Sequence, residues 1–93
     1  MRTKTLGRTG IEVSIVGLGG ATLGYGPEDT MDLELGVATV IAAIEAGATL
    51  VDTAPKYGKG MSEKIIGCAL IRRPDLRVRC FVTTKVGYVL LLR

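Results

Sequence analysis

Strand-like and helix-like segments alternate through most of this sequence, and that alternation limits the fold more than any other feature. Three short segments rich in apolar residues, at 14–19, 49–53 and 78–86, are predicted strands. Two stretches with helically spaced apolar residues separate them. This order specifies parallel strands joined by right-handed crossovers, with helices on the outside. The fold class is therefore α/β, although alternation alone does not separate a closed barrel from an open doubly wound sheet.

Both predicted helices have one apolar face and recognisable ends. Their buried residues are predicted to be Val37, Val40, Ile41 and Ile44 in the first helix, and Ile65, Ile66, Ala69 and Leu70 in the second. Candidate N-terminal caps are Asp29, Thr30 or Asp32 for the first helix and Ser62 for the second. Gly47 suits the left-handed residue that ends the first helix. The second helix must stop before Pro74.

The first fourteen residues are predicted to form a β-hairpin. Segments 3–6 and 11–14 flank a turn at 7–10 that contains two glycines. A loop is expected at 24–27, ahead of the first helix. The chain is thus predicted to form one unit, which consists of a hairpin followed by β-α-β-α-β.

An acid, a phenol and an amine stand close to the predicted carboxyl ends of two strands. Asp52 lies near the end of the second strand, Tyr57 follows in its exit loop, and Lys85 lies near the end of the third. Neighbouring parallel strands lie about 4.8 Å apart, so inward-facing residues at equal height can touch. Asp52 and Lys85 are therefore predicted to form an ion pair, with Leu50 on the same face as Asp52.

These three groups are the parts of a proton-donating site. The phenol of a free tyrosine is a weak acid at neutral pH, but an ammonium group held beside it stabilises the phenolate. A carboxylate would keep that ammonium charged in a partly desolvated pocket. Taken singly, each residue is ordinary for its position, and only their joint occurrence argues for Tyr57 as a general acid.

The same residues resemble the aldo-keto reductase family, whose catalytic set is Asp, Tyr, Lys and His. The first three match here at Asp52, Tyr57 and Lys85. Other segments that match in family order are residues 6–10, 16–20, 46–47, 52–54, 57–58 and 62–67. Residues 84–87 look most like a branch that oxidises sugars or pyridoxal.

The resemblance implies a fold, a reaction and a cofactor. The fold would be the incomplete N-terminal portion of a (β/α)8 TIM barrel, with residues 1–93 as a partial domain. Residues 1–14 would form a hairpin that plugs the amino-terminal mouth, and 15–93 the first three strands and two helices. The reaction would transfer hydride between NADP or NAD and a small-molecule aldehyde, ketone or sugar lactol. Tyr57 would protonate the carbonyl oxygen, and the residues beside the cofactor would be Gly19, Gly20, Ala21 and Asp52.

Two features depart from the family pattern. The chain contains no histidine, so the fourth catalytic residue is missing from it. A barrel of this type typically needs about 250 residues, and this chain has 93. The expectation is a truncated piece that is inactive alone and whose unfinished sheet edge is open to self-association.

The sequence also leaves two alternatives open. Residues 17–22 partly match the dinucleotide-binding pattern G-x-G-x-x-G, but the sixth position is Thr22, and no acidic residue closes a second strand about 20 residues on. A Rossmann-type dinucleotide-binding fragment is the first alternative. A non-catalytic interaction module is the second.

Charge and composition limit the kinds of binding partner that the sequence supports. The net charge of +3 comes largely from arginines and lysines that flank predicted turns, which are usually solvated, so no nucleic-acid partner is expected. No apolar run approaches the roughly 20 residues of a membrane helix, and a cytoplasmic location is expected. Cys68 and Cys80 have no neighbouring ligand residues that would suggest a metal site.

Overall fold

The computed structural model describes residues 1–24 and 32–86, and the predicted alternation is present in them. The elements are β1 (Thr3–Thr5), β2 (Glu12–Ser14), β3 (Leu18–Gly19), α1 (Leu33–Glu45), β4 (Leu50–Asp52), α2 (Met61–Arg72), α3 (Pro74–Arg77) and β5 (Phe81–Thr83). A 3₁₀ turn at Tyr57–Gly60 joins β4 to α2. The loop expected at 24–27 lies outside the described residues, apart from Gly24.

Strands β3, β4 and β5 form a parallel sheet in chain order, which confirms the predicted arrangement. Two rows of residues cross this sheet in register: Leu18, Val51 and Val82 form one row, and Gly19, Asp52 and Thr83 the next. The first row packs on the helices. Because successive residues of a strand point to opposite faces, the row that contains Asp52 lies on the other face. The classic dinucleotide-binding sheet begins with the same strand order, so this topology does not exclude the Rossmann alternative.

The core lies between one face of the sheet and the apolar faces of the helices. Its buried members from the predicted positions are Val37, Val40, Ile44, Ile65, Ile66 and Ala69, joined by Leu23, Val51, Leu76 and Cys80. Ile41 and Leu70, also predicted to be buried, are only half-buried because they pack at the margin of this cluster. The helical spacing therefore identified the correct face of both helices.

The predicted strands are longer than the observed ones, most of all at 78–86 and 14–19. The segment at 78–86 becomes a strand only at Phe81–Thr83, because Pro74 begins the additional short helix α3 and Val78 closes it. The segment at 14–19 is a sheet strand only at Leu18–Gly19. Its first residue, Ser14, belongs to the hairpin instead.

The helix ends follow the predictions with one exception. Asp32 caps α1 by accepting a hydrogen bond from the Leu35 N–H at 3.0 Å, whereas the other two candidate caps lie outside the described residues. Gly47 has φ 111° after the last turn of α1, and α2 ends at Arg72. Ser62 is not the cap of α2: the capping position is Gly60, and Ser62 is a fully buried residue of the first helical turn.

The hairpin is attached to the amino-terminal end of β4. The Ser14 N–H donates to Thr49 Oγ1, and the Thr49 N–H donates to Ser14 Oγ, both at 2.8 Å. Thr49 precedes β4, whereas Asp52 ends it. The hairpin and Asp52 therefore lie at opposite ends of this strand.

Close packing of α1 on α2 explains Gly36, although glycine inside a helix is less favourable than alanine. A Cβ at Gly36 would lie 2.9 Å from Ile65 Cδ1 and 3.0 Å from Ile65 Cγ2. Ile65 is only 1% exposed, so it has little room to shift. Overpacking of about 1–3 kcal/mol should exceed the helix-propensity gain of about 1 kcal/mol.

We therefore expect Gly36→Ala to lower the free energy of unfolding, by about 1 kcal/mol net. Gly67→Ala in α2 is the matched control, because a Cβ there meets nothing within 4 Å. It should stabilise the protein by up to about 1 kcal/mol. Urea unfolding at equal protein concentrations, followed by circular dichroism, measures both. Equal gains from the two substitutions would show that the helices do not pack this closely.

Candidate active site

Asp52 presents its carboxylate at the carboxyl end of β4, on the face of the sheet away from the helices. Thr83 Oγ1, from the adjacent position on β5, donates to Asp52 Oδ1 at 2.8 Å. Lys85 Nζ lies 3.3 Å from both carboxylate oxygens. The predicted ion pair is thus present, and its geometry follows from the register of the two strands.

Lys85 has two further partners. Its Nζ donates to the backbone carbonyl oxygen of Thr53 at 2.9 Å, which is shorter than either contact with Asp52. It also lies 4.8 Å from the centre of the Tyr57 ring. The pKa of the Lys85 ammonium is raised above its ordinary value, first by its interaction with the Tyr57 phenol and then by Asp52, with desolvation opposing both. Lys85 is therefore charged throughout the neutral pH range.

The ion pair is open to solvent in the described part of the chain. The side chains of Lys85 and Asp52 are 47% and 49% exposed. Within these residues the helices cover only the opposite face of the sheet, the face of Leu18, Val51 and Val82. Exposed ion pairs contribute little to stability, so the effect of this one is to place the ammonium.

Tyr57 reaches the lysine from a tight turn. Three successive residues after it, Gly58, Lys59 and Gly60, have positive φ values of 59°, 56° and 96°. Two of them are glycines, which tolerate this conformation, whereas for Lys59 it is sterically unfavourable. Gly58 is further constrained, because a Cβ there would lie 2.7 Å from the Leu23 carbonyl oxygen. The turn that carries Tyr57 is thus packed against the loop after β3.

The glycines of the loop after β3 have different surroundings. Gly19 pairs with Asp52 in the sheet, is exposed, and has open space where a Cβ would be. Gly20 is buried, and its N–H donates to the Asp52 carbonyl oxygen at 2.7 Å. Ala21 is exposed. The structure therefore brings Gly19 and Gly20 directly beside Asp52, with Ala21 next in the chain on the exposed rim.

A buried pair of hydroxyl groups lies beneath this site, and sequence analysis missed it. Thr53 Oγ1 and Ser62 Oγ are 2.7 Å apart, and the two residues are 2% and 0% exposed. A Cβ on Gly20 would lie 2.7 Å from Ser62 Oγ, so only glycine fits there without movement. The available sequence signal was Ser62 itself, whose position near a helix start favoured a capping role.

A second contact closes the rim between β5 and α2. Thr84 Oγ1 donates to Glu63 Oε2 at 2.6 Å. Glu63 lies in the first turn of α2, so this bond ties the exit of β5 to the same helix end as Ser62. The segment that carries Lys85 is therefore attached both to the end of β4, through Lys85 itself, and to the start of α2, through Thr84.

Within the described ranges, no group of three or more His, Cys, Asp or Glu side chains is arranged to hold a metal ion. Cys68 and Cys80 are both free thiols, and burial raises the pKa of Cys80. Among the residues that the structure describes, no helix is both long and apolar enough to cross a membrane.

Residues 15–90 match the family model described as the aldo/keto reductase family. The chain belongs to this family. Curated aldo-keto reductase relatives include Aldo-keto reductase YhdN of Bacillus subtilis (strain 168), which is 41% identical over 91 residues, covering 94% of this chain and 26% of the relative. The NADH-specific methylglyoxal reductase of Escherichia coli (strain K12) is 40% identical, with 96% and 27% covered. The pyridoxal 4-dehydrogenase of Microbacterium luteolum is 38% identical, with 90% and 23% covered.

A solved aldo-keto reductase structure agrees with this assignment. Aldo-keto reductase AKR11C1 from Bacillus halodurans, in its holo form, superposes with a TM-score of 0.77 at 31% identity, covering 94% of this chain and 26% of that chain. The sugar and pyridoxal branch expected from residues 84–87 is also represented among the relatives. The chain spans about a quarter of the length of the curated relatives it matches.

Proposed function

We propose that this chain supplies the N-terminal part of an aldo-keto reductase barrel, including three residues of its catalytic set. The reaction would be hydride transfer between NADP or NAD and an aldehyde, a ketone or a sugar lactol. The observation that supports this most directly is the meeting of Asp52, Tyr57 and Lys85 at one sheet edge, with Lys85 Nζ 3.3 Å from the carboxylate and 4.8 Å from the ring centre.

The residues beside Asp52 suit a nicotinamide cofactor. Among the described residues, Asp52 Oδ2 accepts a hydrogen bond only from Lys85, so it retains capacity to accept one from a ribose hydroxyl. Gly19 leaves open space at the rim. We assign Gly19, Gly20, Ala21 and Asp52 to the cofactor side of the site, with Gly20 shaping the loop. When bound, the cofactor supplies a hydride to a carbonyl carbon or accepts one from an alcohol.

The chain's own residues would move the proton. Tyr57 donates the phenolic proton to the carbonyl oxygen as the carbon gains hydride, and the product is an alcohol. The Lys85 ammonium beside the ring stabilises the phenolate that this step leaves. Asp52 holds Lys85 in place. In the reverse direction the phenolate accepts the proton from an alcohol or lactol.

We also infer that these 93 residues would be inactive alone. Without the rest of the barrel, hydride donor and acceptor are not held together, so no turnover is expected. In the part of the chain that the structure describes, β5 is an edge strand that pairs only with β4, and its Phe81 is 42% exposed, which favours self-association of the isolated chain. We also propose a cytoplasmic location, because free thiols are typical of a reducing compartment.

A chimera tests this function. It consists of the 93-residue chain followed by the part of the Escherichia coli methylglyoxal reductase that extends beyond the matched segment. We expect reduction of methylglyoxal, or oxidation of pyridoxal or of a sugar lactol, with NAD or NADP in the required redox state. The 93-residue chain alone and the Escherichia coli segment alone are the controls, and both should be inactive. A folded chimera with no activity on any carbonyl or sugar would contradict the proposal.

A further inference from the structure

The hydroxyl pair of Thr53 and Ser62 is buried beneath the site, and no step of the proposed reaction uses it. Its two members come from different elements: Thr53 directly follows β4, and Ser62 lies in the first turn of α2. The Oγ atoms are 2.7 Å apart, and neither residue is more than 2% exposed. Because a buried hydroxyl without a partner is costly, each residue holds the other in one position.

Thr53 connects this pair to the exposed ion pair. Its carbonyl oxygen accepts from Lys85 Nζ at 2.9 Å, and its N–H donates to the Thr83 carbonyl oxygen at 2.8 Å. All three of its hydrogen-bonding groups are thus engaged, the N–H by the Thr83 carbonyl, the carbonyl by Lys85 and the hydroxyl by Ser62. By contrast, both side chains of the Lys85–Asp52 pair are about half exposed. The Thr53 carbonyl is therefore the most firmly held of the groups that contact Lys85.

Ser62 connects the same pair to Tyr57. The turn at Tyr57–Gly60 runs directly into α2, whose first turn contains Ser62. Gly20 packs against both sides of the junction, because a Cβ there would lie 2.6 Å from the Asp52 carbonyl oxygen and 2.7 Å from Ser62 Oγ. One buried hydrogen bond thus joins the strand end that contacts Lys85 to the start of the helix that follows the turn with Tyr57.

We propose that Thr53 and Ser62 are positioning residues for the proton-donating site, which hold the Lys85 ammonium against the Tyr57 ring through the Thr53 carbonyl. This rests on the proposed function for its catalytic meaning, but the placement of Lys85 can be measured without activity. Loss of the hydroxyl pair should let the strand end and the helix start shift relative to each other. Lys85 then loses part of its interaction with Tyr57 and Asp52, and its pKa falls toward the ordinary value.

Two substitutions at position 53 separate positioning from stability. Thr53→Val keeps the side-chain shape and removes the hydroxyl, whereas Thr53→Ser keeps the hydroxyl and removes a methyl group. Both should destabilise the fold. Only Thr53→Val should change the titration of Lys85, with a proton affinity roughly threefold to tenfold weaker. Thr53→Ser should stay within about twofold of the parent.

The measurement is an NMR titration of the cofactor-free chimera labelled with ¹³C at lysine Cε, in which Lys85→Met identifies the Lys85 signal. An unchanged Lys85 titration in Thr53→Val, or equal shifts in Thr53→Val and Thr53→Ser, would overturn the proposal. If Thr53→Val does not fold, Ser62→Ala removes the same bond without adding atoms and decides by the same criterion. An inactive chimera that still shows the Lys85 shift would refute the proposed function and leave the positioning role standing.

Discussion

In the chimera, Tyr57→Phe should lower the rate of carbonyl reduction by about 10² to 10⁴. The substitution removes one oxygen atom and leaves the ring over which Lys85 lies, so the fold and the placement of the ammonium should be largely preserved. What is lost is the proton that the carbonyl oxygen would take up. The effect should therefore fall on kcat far more than on binding of the nicotinamide cofactor.

Two measurements separate this from general damage. Cofactor affinity, followed by the change in protein fluorescence on binding, should stay close to that of the parent. Steady-state kinetics should show the same loss of kcat at every pH at which the parent is active. If Tyr57→Phe retained full reductase activity, the role of Tyr57 as general acid would have to be abandoned.

Lys85→Met should lower the rate by about 10 to 10³ and change its dependence on pH. The ammonium stabilises the phenolate that forms when the tyrosine gives up its proton. Without it, proton transfer to the carbonyl oxygen is less favourable, and the pH at which the reduction rate falls should move upward. Mere misfolding would reduce activity without this displacement.

Lys64→Met is a matched control for the lost charge. Lys64 is an exposed residue of α2, two positions after the buried Ser62. The same change there should leave both the rate and its pH dependence close to those of the parent. If the pH dependence moved by a similar amount in the two variants, the effect would come from net charge and not from the position of Lys85.

The ion pair of the site could be predicted because it depends on two regular features. Strand alternation places Asp52 on a defined face, and parallel neighbours bring the end of the next strand to the same edge. Lys85 then lies within reach even though the predicted strand around it was too long. An error of several residues in the strand bounds did not matter, since the alternation of side chains between the two faces of the sheet was predicted correctly.

The hydroxyl pair could not be predicted, because its cause is tertiary. Thr53 and Ser62 meet only after the turn at Tyr57–Gly60 folds the helix start back over the strand end. Local sequence gave Ser62 a good alternative role as a helix cap, a role that Gly60 occupies instead. Gly36 is a similar case, because its cost in a helix is visible in the sequence while the neighbouring Ile65 that justifies it is not.

The exposure of the site depends on what covers each face of the sheet. In the described residues the helices cover only the row of Leu18, Val51 and Val82. The opposite row contains Gly19 and Asp52 and remains accessible. Burial depends on what covers a surface, and no pattern within a strand reveals that.

Combining Tyr57→Phe with Lys85→Met in the chimera tests most directly whether these residues act as one proton-donating unit. If Lys85 acts through the phenol, its substitution matters only while the phenol is present. Lys85→Met should then lower kcat by at least about tenfold in the parent and by less than about twofold in the Tyr57→Phe background. Losses that multiply, so that Lys85→Met has the same effect in both backgrounds, would show that the two residues act independently and would contradict the proposed site.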